Sequence, residues 1–377
     1  MPAPGAAARR ASERLAGLIR DEILANGGWL GFDRYMQRAL YEPGLGYYSG
    51  GSVKFGADGD FVTAPELGNV LAQSLALQFA AMLETMTAPS VLELGAGTGR
   101  LAADLLDALD ARGLGHVRYL ILETSADLRQ RQQQLLERFG PRVVWLSALP
   151  GEAFDGLIVA NEVADALPVV RFTKAGGRAV PMGVGVSDAA FVWRAGAQDP
   201  RLDRAITALE AKLDDPLPEG YRSELCLMLE DWLAAVARPL RHGALAFIDY
   251  GLVRREYYHP QRADGTLICH YRQRAHGDPF WWPGLQDISA WVDFSRLADA
   301  AQAAGLSLAG FTTQGSFLLE SAAQLEPGTL DFDDPRKVSA LKTLVLPGEM
   351  GERFKVLLLS KGCETVALPG RDFRNRL

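Results

Sequence analysis

The feature that most restricts the fold lies between residues 90 and 123. An apolar run, Ser90-Val91-Leu92-Glu93-Leu94, leads into Gly95-Ala96-Gly97-Thr98-Gly99, and a helical pattern starts at Arg100. Three glycines at alternate positions, set directly between a strand and a helix, leave few architectures open. They allow a tight turn and present bare backbone to a ligand. Such a turn sits at the carboxyl edge of a parallel sheet. The alternation continues with a strand over residues 119–123, a helix over 126–139, and strands over 143–146 and 156–160. Apolar runs alternating with helices predict a parallel sheet with right-handed crossover helices.

The glycine spacing says what the loop can hold. A dinucleotide fingerprint is GxGxxG, with a helix N-terminus facing a pyrophosphate. Here the spacing is GxGxG, and Glu93 stands two residues before Gly95. That carboxylate opposes a pyrophosphate and suits a cationic ligand. Glu123 ends the next strand, where a carboxylate can accept from ribose hydroxyls. An ordinary strand-to-helix turn would explain the glycines alone but leaves Glu123 without a role. Together the features resemble the S-adenosylmethionine site of class I methyltransferases, a cofactor with a ribose and a sulfonium but no phosphate.

The rest of the chain fits around this unit. Apolar positions Leu15, Leu18, Ile19, Ile23 and Leu24 predict a helix over 8–26, followed by helices over 32–41 and 65–84 with a loop at 44–60. Past Pro168 the runs 169–172, 179–186 and 190–194 predict an inserted antiparallel meander, then helices over 202–213 and 223–237. The α/β texture returns with a strand at 244–248, a helix at 294–304, and strands at 307–313 and 354–359. Residues 252–286 read as a long loop, a length that points to function. The expected class is α/β: a Rossmann-like class I methyltransferase fold with a seven-stranded, mostly parallel sheet. The expected organisation is an N-terminal helical extension (1–88), a methyltransferase domain (89–167 and 243–377), and an inserted subdomain of β-meander plus helices (168–242).

Composition excludes several classes. Net charge is −7, from 39 basic and 46 acidic residues, so the main partner is not expected to be nucleic acid, whose phosphates call for a basic face. No run approaches the ~18 apolar residues of a membrane span. The three cysteines, Cys226, Cys269 and Cys363, lie far apart with no CxxC, which fits a reducing, cytoplasmic setting. The first 26 residues lack a secretory apolar core, and Glu13, Asp21 and Glu22 argue against a transit peptide. His270 and His276 near Cys269 lack any HExxH or paired CxxC spacing, so no metal is expected.

Two further blocks carry candidate chemistry. The fourth strand runs into Asn161-Glu162-Val163-Ala164-Asp165-Ala166-Leu167-Pro168. Glu162 and Asp165 are three apart; on a helical turn both would face one way and could clamp a guanidinium. A helix cap and a solvated glutamate are the plain alternative. Thr63-Ala64-Pro65-Glu66 has the form of a capping box, with Thr63 as N-cap and Glu66 reaching back.

The whole pattern resembles the MidA-like methyltransferases. The resemblance rests on Tyr41-x-Pro43-x-x-Gly46-Tyr47-Tyr48, Gly59-Asp60-Phe61-Val62-Thr63-Ala64-Pro65-Glu66, Leu92 to Gly99, Asn161-Glu162 with Asp165 to Pro168, and Asp249-Tyr250-Gly251. It continues through Asp287-Ile288-Ser289, Val292-Asp293-Phe294 and Met350 to Val356. Mitochondrial members of that family are complex I assembly factors that methylate arginine in a protein. The resemblance implies S-adenosylmethionine as cofactor, held by Thr63, Glu66, Glu93, Gly95, Gly97, Gly99, Glu123 and Asn161. It implies Glu162 and Asp165 as catalytic carboxylates and a protein as substrate. Between those two the family carries bulky, often aromatic residues; here stand Val163 and Ala164.

Overall fold

A computed structural model of the chain describes residues 2–50, 63–330, 333–363, 366 and 368–377. The chain divides into two compact units. One, the sheet unit, comprises Val62–Ala164, Glu230–Leu252 and Val292–Leu377; the other, the three-segment unit, comprises Met1–Phe61, Asp165–Leu229 and Val253–Trp291.

The sheet unit is built on seven main strands: β1 (Ser90–Leu94), β2 (Arg118–Leu122), β3 (Val143–Leu146), β4 (Phe154–Asn161), β5 (Leu240–Leu252), β6 (Ser307–Thr313) and β7 (Phe354–Lys361). Their order across the sheet is β3-β2-β1-β4-β5-β7-β6, and a two-residue strand, Val292–Asp293, lies beside the end of β5. The first five strands pair in parallel, and β7 runs antiparallel between β5 and β6. The winding reverses between β1 and β4, so the topological switch point falls at the carboxyl ends of those two strands.

Alternation along the strands sorts residues between the two faces. Val91, Tyr119, Ile121, Leu157, Val159 and Ala246 join one core with Leu71, Leu75 and Phe79 of the helix Val70–Glu84 and Leu101 and Leu105 of the helix Arg100–Asp110. Residues of the other parity, among them Leu92, Ile158, Leu245 and Phe247, are also buried. Both faces are thus covered, as a parallel sheet requires. Glu93 shares parity with Val91 and therefore points into the first of these cores.

The three-segment unit carries the helices Ala6–Ala25 and Phe32–Tyr41 with a five-stranded antiparallel sheet. The strands Val170–Ala175, Arg178–Ser187 and Ala190–Ala195 form the expected meander. Leu15, Ile19, Ile23, Phe32 and Tyr35 share a core with Val184, Cys269 and Ile288. This shared core makes the division differ from the expected one at 1–88 and 168–242. The first helices, the meander and residues 253–291 bury one another's apolar faces, whereas the helix Val70–Glu84 belongs to the sheet unit.

Local expectations fail at identifiable places. Leu18 and Leu24 are exposed, at 43% and 70%. The expected helix over 65–84 is split at Gly68 (φ 146) into a 3-10 turn, Ala64–Leu67, and the helix Val70–Glu84. Residues 222–225 form a strand rather than the start of a helix, because they pair with residues 170–173 and so bury Glu224 on Arg171. The supposed loop over 252–286 contains a helical turn, Arg254–Tyr257, and a hairpin of Ile268–Tyr271 with Arg274–His276. Arg272 (φ 47) and Gln273 (φ 60) make its two-residue turn. The helices Gln314–Ala322 and Pro335–Val345 were not anticipated. Residues 51–60 of the expected loop and Gly59 to Val62 of the family block lie outside the described residues. Among the described residues, no helix is long and apolar enough to cross a membrane.

Candidate functional site

The site is assembled at the carboxyl ends of β1, β2 and β4. β1 ends at Leu94, and the chain turns through Gly95, Gly97 and Gly99 at φ values of 62°, 54° and 88°. All three lie in the left-handed region, which side chains other than glycine occupy at a cost. The Gly95 N–H donates to Leu122 O at 3.0 Å and the Gly99 N–H to Ala96 O at 2.8 Å, fixing the loop between β2 and the helix Arg100–Asp110.

Glu93 lies beneath the loop, 2% exposed. Tyr119 Oη donates to its Oε2 at 2.8 Å. Burial pushes the Glu93 carboxyl up to about 7; the tyrosine hydrogen bond opposes the shift and the negative charge of Glu123 adds to it. Among the described residues Glu93 makes no ion pair, so its negative charge is not neutralised by a nearby side chain.

Glu123 follows β2 and is held from several directions. Its Oε1 accepts from the Ser125 N–H at 2.8 Å and its Oε2 from Gln132 Nε2 at 3.0 Å. Arg129 Nη2 donates to the carbonyls of Glu123 and Leu146 at 3.0 and 2.9 Å, bracing the ends of β2 and β3. Gln132 was not singled out in the sequence. Its one signal is a polar residue in the buried stripe Leu128, Gln132, Leu136 of the helix Ala126–Leu136.

The capping box is not formed. The Thr63 side chain makes no cap bond to the 3-10 turn. Glu66 instead turns to the glycine loop, where its Oε1 accepts from Thr98 Oγ1 at 2.5 Å. Glu66 is thereby brought to the site, while the N-cap role of Thr63 is lost.

At the end of β4, Asn161 Nδ2 donates to Glu162 Oε1 at 3.3 Å, while Asn161 Oδ1 is buried and without a hydrogen-bond partner among the described residues. The helical turn expected over Glu162 and Asp165 is absent. Glu162 takes φ 53, and its N–H bonds sideways to Ile248 O of β5 at 2.9 Å. Asp249 then fixes the exit from the strand: its Oδ2 accepts from the Ala164 N–H at 3.0 Å and its Oδ1 from the Tyr250 N–H at 2.9 Å. Asp165 begins a segment of the other unit, where its carbonyl accepts from the Ala290 N–H at 3.0 Å. The two carboxylates therefore do not share a helix face. Near Asp165 in that unit, Asp287 is buried and accepts from Tyr48 Oη at 2.9 Å and Ser289 Oγ at 2.6 Å. Tyr41, 36% exposed, donates through its hydroxyl to Ala166 O at 2.9 Å.

The family model described as "Putative S-adenosyl-L-methionine-dependent methyltransferase" matches residues 74–312. The chain belongs to this methyltransferase family. A crystal structure of a Burkholderia thailandensis protein bound to S-adenosyl-homocysteine is similar to the methyltransferase with a TM-score of 0.90, at 43% identity and with 100% of both chains covered. The Drosophila melanogaster protein named "Protein arginine methyltransferase NDUFAF7 homolog, mitochondrial" is 30% identical over 92% of this chain and 85% of its own length. The Homo sapiens protein named "Protein arginine methyltransferase NDUFAF7, mitochondrial" is 28% identical, covering 86% of this chain and 78% of its own. The cofactor of the methyltransferase is S-adenosylmethionine.

The residues at the site fit that cofactor. Asn161 Oδ1 is a buried acceptor awaiting a donor. The glycine loop leaves bare backbone, and at Gly99 a side chain would crowd: a Cβ there would stand 3.2 Å from Gln132 Cγ. Two buried carboxylates, Glu93 and Glu123, suit a ligand with a positive charge and ribose hydroxyls.

Proposed function

We propose that the methyltransferase acts in the cytoplasm on an arginine of a protein substrate. Glu93, Gly95, Gly97, Gly99 and Glu123 hold the cofactor, with Thr63, Glu66 and Asn161 at its edge. The relatives named protein arginine methyltransferases support the acceptor, since the similarity runs over most of both chains. The observation that carries the acceptor side is Glu162, a carboxylate set in a left-handed conformation at the end of β4, beside the switch point. A net charge of −7 favours a protein over a nucleic acid as acceptor.

Bound S-adenosylmethionine supplies a methyl group already activated on a sulfonium. The work left to the chain is alignment, desolvation and proton management. An arginine side chain is a cation, with a pKa above about 12. A carboxylate must fix its plane and draw its charge to one side, leaving one nitrogen to attack. Each methyl gained requires one proton to leave that nitrogen. Glu162 is the residue we assign to both tasks. The Asp249 carboxylate, by gripping the backbone N–H groups of Ala164 and Tyr250, keeps the turn after Glu162 in place.

The test is transfer of labelled methyl from S-adenosylmethionine into a lysate of the host, followed by acid hydrolysis. The expected result is a labelled protein band that yields methylarginine. Label found only in lysine, in a side-chain amide or in a small metabolite overturns the acceptor and leaves the methyltransferase intact. Glu162→Gln, nearly isosteric, is expected to cost ~10²–10³ in rate with S-adenosylhomocysteine affinity unchanged. Full activity in that variant removes Glu162 from the reaction.

A further inference from the structure

Gln132 links three elements of the sheet unit through one buried amide. Its side chain is inaccessible to solvent, at 0% exposure. Nε2 donates to Gly97 O in the glycine loop at 2.8 Å and to Glu123 Oε2 beyond β2 at 3.0 Å. Oε1 accepts from Trp145 Nε1 on β3 at 3.0 Å. An indole N–H can only donate, so Trp145 dictates which end of the amide is oxygen. The nitrogen must then face Glu123 and Gly97, and both of its hydrogens are committed. Glu123 is thus gripped at both oxygens, by the Ser125 N–H on one and Gln132 on the other.

We propose that Gln132 is a positioning residue for the cofactor. It sets the orientation in which Glu123 receives the ribose hydroxyls, and it locks that orientation to the glycine loop, so that the two halves of the site bind as one. This rests on the reading of Glu123 as the ribose acceptor. The contacts favour it over a purely structural amide because two of the three partners, Gly97 and Glu123, are themselves site residues. A glutamine whose only task was packing would be replaceable by leucine, which has a similar bulk and no donor.

The experiment measures S-adenosylhomocysteine affinity by calorimetry in four proteins: wild type, Gln132→Leu, Glu123→Gln, and the two changes combined. Gln132→Leu is expected to weaken binding about tenfold or more, the typical worth of a hydrogen bond to a charged group. The combined variant is expected to bind within about threefold of Glu123→Gln alone, because residues acting through one another are not additive. Losses that multiply overturn the proposal. An unchanged affinity in Glu123→Gln overturns the ribose reading itself, and the proposal with it.

Gln132→Glu guards against a leucine variant that fails to fold. It keeps the acceptor for Trp145 and sets two carboxylates against each other. Like charges this close cannot both ionise freely, so the pair takes up a proton as pH falls and regains the lost hydrogen bond. The affinity of Gln132→Glu relative to wild type is expected to recover on lowering the pH from about 8 to about 5; the titration of Glu93, common to both proteins, cancels in that ratio. A ratio of the two affinities that stays flat over that range contradicts the proposal.

Discussion

Glu224 in the three-segment unit and Glu93 in the sheet unit are buried almost equally, at 0% and 2% exposure, yet their surroundings differ. Glu224 receives a cation from the chain itself. Arg171 Nη1 lies 2.5 Å from its Oε1, and the Thr266 N–H donates to Oε2 at 2.8 Å. Arg171 in turn stacks over Trp193 and pairs with Asp264. Glu93 has a tyrosine hydroxyl and, nearby, a second negative charge. Burial raises both carboxyls; Arg171 and Thr266 pull Glu224 back while Asp264 pushes it up, and for Glu93 only the neutral Tyr119 hydroxyl pulls back while Glu123 pushes it up. A buried carboxylate that the fold supplies with a cation is part of the scaffold. One left without a cation, as Glu93 is among the described residues, is the carboxylate we propose to meet the positive charge of the cofactor.

The contrast can be broken most forcefully at Arg171. Arg171→Met leaves Glu224 buried without its cation, and removing one partner of a buried pair costs about 3–5 kcal/mol. Urea denaturation should show a loss of that size. A loss below about 1 kcal/mol would put this pair among surface ion pairs and erase the difference.

Glu93→Gln should act in the opposite sense. A carboxyl raised from 4.5 to about 7 in the folded chain binds its proton more tightly there than when unfolded. Stability is therefore lost as pH rises from the unfolded value through the folded one, by about 1.4 kcal/mol for each unit of the shift. Glutamine removes that cost. The variant is expected to be more stable than wild type near pH 8, and no more stable below about pH 4, where Glu93 is protonated in both the folded and the unfolded chain. Equal stabilities at the higher pH would mean that burial does not penalise the Glu93 charge.

The smallest change sharpens the ligand side. Glu123→Ala should weaken S-adenosylhomocysteine binding by about 1.5–3 kcal/mol, roughly tenfold or more. An unaltered dissociation constant would leave Glu123 as a brace for Ser125 and Gln132 alone.

What could be read from the sequence follows the range of the forces involved. The glycine loop, Glu93 and Glu123 were legible because a strand, a turn and a helix are each decided within a few residues. The seven strands were legible for the same reason. The shared helical face of Glu162 and Asp165 was misread, since three-residue spacing implies one only if the backbone closes helical hydrogen bonds. Here the Glu162 N–H is taken by Ile248, some ninety positions away in the chain. The strand Arg222–Leu225 was missed for the same reason: its identity depends on pairing with Val170 to Thr173. Gln132 left only a polar residue in an apolar stripe, and Thr63 and Glu66 formed a capping box on paper while Thr98 claimed Glu66 in the fold.

The most direct test of the poised Glu93 is proton release on cofactor binding. S-adenosylmethionine is titrated into the wild-type protein near pH 7, by calorimetry, in two buffers of different ionisation enthalpy. A cation arriving at this site favours the ionised carboxylate, so the observed heats should differ in the sense of proton release, approaching about one proton per site at lower pH. The difference should disappear at about pH 9, where Glu93 is already ionised, and in Glu93→Gln at every pH. Equal heats in the two buffers near pH 7, or the same proton release in Glu93→Gln, would contradict the account.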